Sequence, residues 1–117
     1  MMIIEGTYDP DTWYGEVRIN NKLLSPKRSQ RVYSHSPDGF AWGYGGSGPS
    51  QLALAILLEA GLGNNEAVEL HQAFKWKFLA PASSRAPLAL TIDIEDWIRT
   101  ERLERRNKLR EAMRDNT

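Results

Sequence analysis

The stretch Gly43-Tyr44-Gly45-Gly46-Ser47-Gly48-Pro49-Ser50-Gln51-Leu52-Ala53-Leu54-Ala55-Ile56-Leu57-Leu58 decides how this chain folds. From Leu52 to Leu58 it is apolar on every face, which marks a buried helix rather than an amphipathic one. Pro49 suits the first helical turn, where its missing N–H leaves no bond unmade. The spacing predicts a helix over Pro49 to Ala60, capped by Gly48 or Ser47. If Gly48 is the cap, Gln51 falls at the third helical position and reaches back to the cap's N–H. Gly61 or Gly63 ends the helix as a left-handed C-terminal residue.

On the N-terminal side, Ile3-Ile4 begins a short strand. Trp13 to Ile19 alternates, with Trp13, Gly15, Val17 and Ile19 on one side and Tyr14, Glu16 and Arg18 on the other, as in a half-buried strand. Asn20-Asn21 tolerates positive φ and turns the chain into a return strand at Lys22-Leu23-Leu24. Ser25-Pro26 ends that hairpin. Gln30 to Ser34 reads as another short strand, and Ser36-Pro37-Asp38-Gly39 as a turn. Phe40, Trp42 and Tyr44 alternate with Ala41 and Gly43, which predicts a strand running into the glycine-rich loop.

On the C-terminal side, a second helix is expected from about Asn65 to Leu79. Asn64 or Asn65 caps it, Glu66 lies in its first turn, and Ala67, Leu70, Ala73, Phe74 and Phe78 are spaced by threes and fours. Pro81 to Pro87 is a loop and Leu88 to Ile92 a strand. A last helix starts near Ile94, with Asp93 as its cap. Beyond Ile98 it is mostly charged, with favourable pairs Glu95–Arg99, Glu101–Arg105 and Glu104–Lys108.

Composition narrows the function. A chain of 117 residues fits one domain. With 41% hydrophobic and 26% charged residues it has a globular rather than a disordered composition. The absence of cysteine excludes disulfides, thiolate metal sites and cysteine nucleophiles. No apolar run approaches the roughly 18 residues that span a bilayer. Met1 to Glu5 does not read as a signal peptide, so a cytoplasmic location is expected, in the host cytoplasm if the gene is phage-borne. The net charge is zero, which removes any bulk pull on nucleic acid. Locally, Arg18, Lys22, Lys27, Arg28 and Arg31 cluster without an acid between them. Arg99, Arg102, Arg106 and Arg110 share one face of the last helix. Both sets are candidate surfaces for a protein partner or for nucleic-acid phosphates. Both also have a simpler reading as solvated faces.

The loop ahead of the buried helix is the best candidate for chemistry. Gly45, Gly46, Ser47, Gly48 and Ser50 could hold a phosphate or carboxylate on exposed N–H groups and the positive end of the helix dipole. It is neither a Walker loop, lacking Gly-Lys-Ser/Thr, nor a dinucleotide fingerprint, lacking a βαβ unit. The steric reading comes first: glycines let Phe40, Trp42 and Tyr44 pack close to the backbone as the chain turns. His35 with Ser34, Ser36 and Asp38 invites a serine–histidine–acid site on paper, but three small polar residues in one turn are turn chemistry. His71 lies in the second helix. Two histidines among scattered carboxylates give no metal-ligand spacing. No catalytic residue, metal or cofactor is expected.

The run from His35 to Leu57, which contains Ser36-Pro37-Asp38-Gly39-Phe40-Ala41-Trp42-Gly43-Tyr44-Gly45-Gly46-Ser47-Gly48-Pro49-Ser50-Gln51-Leu52, resembles the signature of an uncharacterised family. That family is a domain of unknown function found in small bacterial and bacteriophage proteins. The hairpin at Leu23-Leu24 and the second helix at Phe74 are similar too, so the resemblance covers about residues 5 to 98. It implies no activity but a setting, mobile genetic elements and their hosts, in which small proteins bind a host or defence protein, such as a CRISPR-like complex. The expected architecture is α+β: a small, mostly antiparallel sheet packed on two helices over residues 1–98, with a charged helical extension over 99–117.

Overall fold

The computed structural model describes residues 1–115; the last two positions of the expected extension, 116 and 117, lie outside them. Four strands, β1 (Met2–Tyr8), β2 (Gly15–Ile19), β3 (Lys22–Leu23) and β4 (Leu88–Ile92), form one antiparallel sheet in the order β3, β2, β1, β4. Four helices accompany it: α1 (Lys27–Val32), α2 (Ser47–Glu59), α3 (Asn64–Phe74) and α4 (Ile94–Asp115). The fold is therefore α+β, as the patterning predicts.

The two-residue period sets the sheet's faces. Met2, Ile4, Val17, Ile19, Leu88 and Ile92 point into the core, while Ile3, Glu5, Glu16, Arg18 and Ala89 point to solvent. Asn20 and Asn21 take φ of 49° and 67° and close the β2–β3 hairpin. The Asn20 side chain also accepts the Ile3 N–H at 2.9 Å, tying the turn to β1.

The α2 helix is buried from Gly48 to Leu58, and shares one apolar cluster with the inner face of the sheet. It packs against α1, α3 and the π turn after α3. Its C-terminus is closed at Gly61, whose φ is +100°. The Leu62 N–H bonds Leu57 O at 3.2 Å and the Gly61 N–H bonds Leu58 O at 3.0 Å, the paired bonds of a Schellman ending. At its N-terminus the cap is Gly46, one or two residues earlier than expected. Gln51 therefore lies past the third helical position and does not reach back. It is fully buried and turned toward the segment after α1. Its Oε1 accepts the N–H groups of His35 and Ser36 at 2.7 and 3.0 Å, and its Nε2 donates to Ser29 Oγ and Tyr33 O at 2.9 and 3.2 Å.

Gln51's bonds explain another departure. Residues 27–32 form a helix where a strand at Gln30 to Ser34 is expected. Ser25 Oγ accepts the Lys27 N–H at 3.2 Å, and Ser29 Oγ donates to Pro26 O at 2.8 Å. Gln51 then holds Ser29 and the chain beyond it, so a six-residue helix forms through a tertiary partner rather than local propensity.

The expected strand from Phe40 to Tyr44 shrinks to one bridge, Phe40 to Gly15. Tyr8 takes the place of a strand partner: its hydroxyl accepts the Trp42 N–H at 3.1 Å and donates to Trp42 O at 2.8 Å, with the two rings stacked 4.2 Å apart. Trp42 is wholly buried and its indole N–H donates to Ala86 O at 2.7 Å. The ring lies flat over Gly6 and Gly15, where a Cβ would come within 2.6 and 2.3 Å of it. Glycine at both positions is what lets a tryptophan lie on the sheet.

The helix expected to reach Leu79 does so in two geometries. Gly63, not an asparagine, precedes α3, and no side chain caps it. After Phe74 the helix widens into a π turn over Lys75–Leu79, in which the Ala80 N–H bonds Lys75 O at 2.9 Å. The widening buries Lys75 and Leu79 and leaves Trp76 and Lys77 outside. Asp93 caps α4 as expected, accepting the Asp96 N–H at 3.1 Å. Trp97 meets Phe74 edge-on at 5.2 Å, and α4 then runs beside α3. Arg102 grips Glu66 with two bonds, and Arg105 lies 3.8 Å from Glu69. Of the expected charge pairs, Glu101–Arg105 is present at 3.7 Å, whereas Arg99 turns to Asp96 instead of Glu95.

Candidate functional site

The glycine-rich segment leaves the core at Trp42 and returns to it at Gly48. Gly43, at φ +86°, bends the chain, its N–H bonding Leu79 O at 2.8 Å. Gly45 lies against the face of Trp76, where a Cβ would sit 2.3 Å from the ring. Lys75 Nζ donates to Gly45 O at 2.9 Å and lies 4.4 Å from the centre of the Trp76 ring. The loop is thus gripped by two consecutive residues of the π turn, one through its carbonyl and one through its α-carbon.

The candidate anion-binding residues divide between the inside and the outside of this arrangement. Gly45 and Gly46 are half-buried, Ser47 is exposed, and Gly48 and Ser50 are buried. Ser50 Oγ donates to Gly46 O at 3.0 Å and accepts from Gln72 Nε2 at 3.4 Å, so its hydroxyl is engaged within the fold. The Tyr44 hydroxyl lies 3.0 Å from where a Cβ on Gly48 would stand. Burial first, then the neighbouring phenols of Tyr14 and Tyr8, hold the Tyr44 pKa above its ordinary value, with the Gly48 backbone opposing them.

The candidate basic residues are spread over β2, β3, α1 and α4. Arg18 lies on the outer sheet face, 3.3 Å from Glu16 and in register with Glu5. Lys22 and Arg28 border a groove of about 270 Å³ that also contains Glu59. Lys27 and Arg31 project from α1. Arg99, Arg102 and Arg106 line a groove beside Leu103, and Arg110 lies further along α4. Arg18, Arg99 and Arg102 each face a carboxylate, so both stretches include positions whose charge is locally balanced.

Sequence patterning does not point to the aromatic surface beside the loop. Trp13, expected in the strand on the side of Val17 and Ile19, stands outside β2 with φ of 61° and is 44% exposed. Tyr44 and Trp76 are 47% and 60% exposed. The Arg85 guanidinium lies 4.7 Å from the centre of the Trp13 ring, and Arg85 itself has φ of 54°. Trp13, Tyr14, Tyr44, Ser84 and Arg85 wall a hollow of about 330 Å³. Trp76 continues the surface across Gly45. Positive φ at a tryptophan and an arginine that stack on each other is costly backbone geometry, of the kind that concentrates at functional surfaces. The available signal was the density of Trp and Tyr near the loop; their exposure depends on tertiary position.

A third cluster lies behind the loop. His35 and His71, assigned to no site by spacing, meet at 2.8 Å between their Nε2 atoms, with the Tyr33 ring tilted against His35 at 4.4 Å. His35 thus turns to His71 rather than to the serines and Asp38 beside it.

A small antiparallel sheet on a buried helix, with an aromatic face around a glycine-rich loop, defines a compact α+β domain. The chain belongs to the Family of unknown function (DUF6166), whose model matches residues 10–100. Neither a curated protein nor a solved structure matches it. Among the described residues, no helix is long and apolar enough to cross a membrane.

Proposed function

We propose that this domain is a non-enzymatic binding module that engages a protein partner through the face formed by Trp13, Tyr44, Trp76 and Arg85. The observation that carries this reading is the exposure of three large aromatic rings around one loop. Trp, Tyr and Arg are the residue types that dominate binding energy at protein interfaces. Here each ring has a packing partner: Trp13 has Arg85, Tyr44 has Gly46, and Trp76 has Gly45 and Lys75. A surface fixed before binding loses little side-chain entropy on association. The setting is that of a phage or prophage protein acting on a host or defence complex, an inhibitor of that complex among the forms this takes.

The test is affinity capture from a lysate of the organism that carries the gene. The wild-type chain is expected to retain a stoichiometric partner that Trp13→Ala and Trp76→Ala, melting as the wild type does, no longer hold. A partner retained equally by both variants, or no stoichiometric partner, would count against the reading.

A further inference from the structure

We propose that β4 is a self-pairing edge, through which two copies of this chain join antiparallel over Leu88–Ile92 into one continuous sheet. This inference does not depend on the aromatic face binding a protein.

The argument begins with the direction of backbone groups. The Asn20 N–H bonds Ile3 O, so Ile3 turns its backbone toward β2 and its neighbours Met2 and Ile4 turn theirs toward β4. Met2 pairs with Ile92, Ile4 with Leu90 and Gly6 with Leu88. Those three residues of β4 therefore bond inward to β1, and Ala89 and Thr91 aim their N–H and C=O groups away from the sheet. β4 is the last strand of the order, and nothing among the described residues bonds these outward groups. Thr91 and Ile92 border an open hollow of about 470 Å³ with Phe78 and Trp97, so this half of the edge is uncovered.

The two edges of the sheet differ. β3 has two residues, one of them Lys22, and both shortness and a lysine discourage pairing. β4 has five residues and no charge, proline or glycine within it. Leu90 lies on the core side between the buried Leu88 and Ile92, yet is itself only half-buried. It lacks a neighbour across the open edge.

A second copy supplies that neighbour. A two-fold axis through Leu90 sets Ala89 of each copy opposite Thr91 of the other, so every outward group meets its complement. Leu90 then faces Leu90 of the second copy as a non-hydrogen-bonded pair, the closer kind. Leu88 faces Ile92 in the same way, and no like charges meet. The chain entering β4 carries Arg85, which has no ion pair among the described residues, and the chain leaving it carries Asp93, Glu95 and Asp96. Antiparallel pairing brings the basic approach of one copy toward the acidic exit of the other. The same patch serves both partners, as a closed two-fold dimer requires.

The test is sedimentation equilibrium on the full chain between about 5 and 500 µM. The wild type is expected to show a reversible monomer–dimer equilibrium within that range. Ala89 and Thr91 are exposed on the outer face, so charges placed there leave the core untouched. Ala89→Lys with Thr91→Lys opposes like charges at both cross-copy pairs and is expected to weaken the dimer by about tenfold. Ala89→Lys with Thr91→Glu opposes unlike charges in this register and is expected to restore association to within about threefold of the wild type. Thr91→Pro removes an outward N–H without touching the bonds to β1, and is expected to leave only monomer. If Thr91→Pro does not fold, the two charge variants decide. Trp76→Ala is expected to dimerise as the wild type does. A chain that stays monomeric throughout, a dimer that both charge variants affect equally, or a dimer lost in Trp76→Ala would overturn the proposal.

Discussion

His71 Nε2 accepts a hydrogen bond from His35 Nε2 across 2.8 Å, joining the loop after α1 to α3. The direction follows from the other ring nitrogen. His71 Nδ1 lies 2.5 Å from Val68 O and must carry the proton, which leaves Nε2 as the acceptor. Gln72 Nε2 donates to the same atom at 3.1 Å.

A neutral pair of this kind predicts acid sensitivity. Burial is the main cause lowering the His35 pKa, followed by His71 and Lys75. Burial likewise lowers that of His71, with Lys75 adding to it and the Val68 carbonyl opposing it. Because both folded values lie below the unfolded one, near 6.5, the pair's contribution is complete above that pH. It is lost as pH falls from there through the folded values. Denaturation midpoints measured from pH 7.5 to 5.5 are expected to fall for the wild type and to fall less for His71→Gln. A wild-type midpoint that does not change over this range would refute the assignment.

Gln51 is predicted to be the most costly polar position. Replacing it with leucine keeps the bulk but leaves the part-buried N–H of His35 and the buried N–H of Ser36 without their acceptor, at about 1–3 kcal/mol for a fully buried unsatisfied group. Urea unfolding of Gln51→Leu is expected to show a loss of at least about 2 kcal/mol. A loss below about 0.5 kcal/mol would mean that the loop after α1 finds other partners.

Gly15→Ala tests the seat of Trp42. The added Cβ would stand 2.3 Å from the ring, and overpacking of this kind costs about 1–3 kcal/mol. The same substitution in a Trp42→Leu background is expected to cost clearly less, which a double-mutant cycle would measure. Additive effects would show that strain at Gly15 arises elsewhere.

Removing the end of α4 is predicted to leave the fold standing. Its apolar anchors, Ile94, Trp97 and Ile98, lie in the first turns, and positions 106–114 are all exposed. A chain ending at Arg106 is expected to melt within about 2 °C of the full length. A drop of more than about 5 °C would assign the far end of α4 a structural part.

The fold was legible where pattern and environment agree. An all-apolar run can only be an enclosed helix, and alternation around Asn20-Asn21 can only be a hairpin, so α2, β2 and β3 follow from residue types alone. Legibility failed where a distant side chain replaced a local bond. Residues 27–32 become helical because Gln51 holds Ser29, and Phe40 to Tyr44 leaves the sheet because the Tyr8 hydroxyl takes both backbone groups of Trp42. The candidate surface was hidden for a similar reason. Alternation put Trp13 in a strand on the side of Val17 and Ile19, but its positive φ turns it outward onto Arg85. Trp76 is outside because a π turn adds a residue to the helix, and no residue type announces that.

The placement of the four tryptophans gives the molecule its own optical probes. Trp42 and Trp97 lie inside, while Trp13 shares a hollow with Tyr44 and Trp76 stands exposed against Gly45. A soluble quencher will reach the outer pair and not the inner one. Emission from the inner pair therefore follows unfolding, and quenching of the outer pair follows whatever covers the loop, without any label attached.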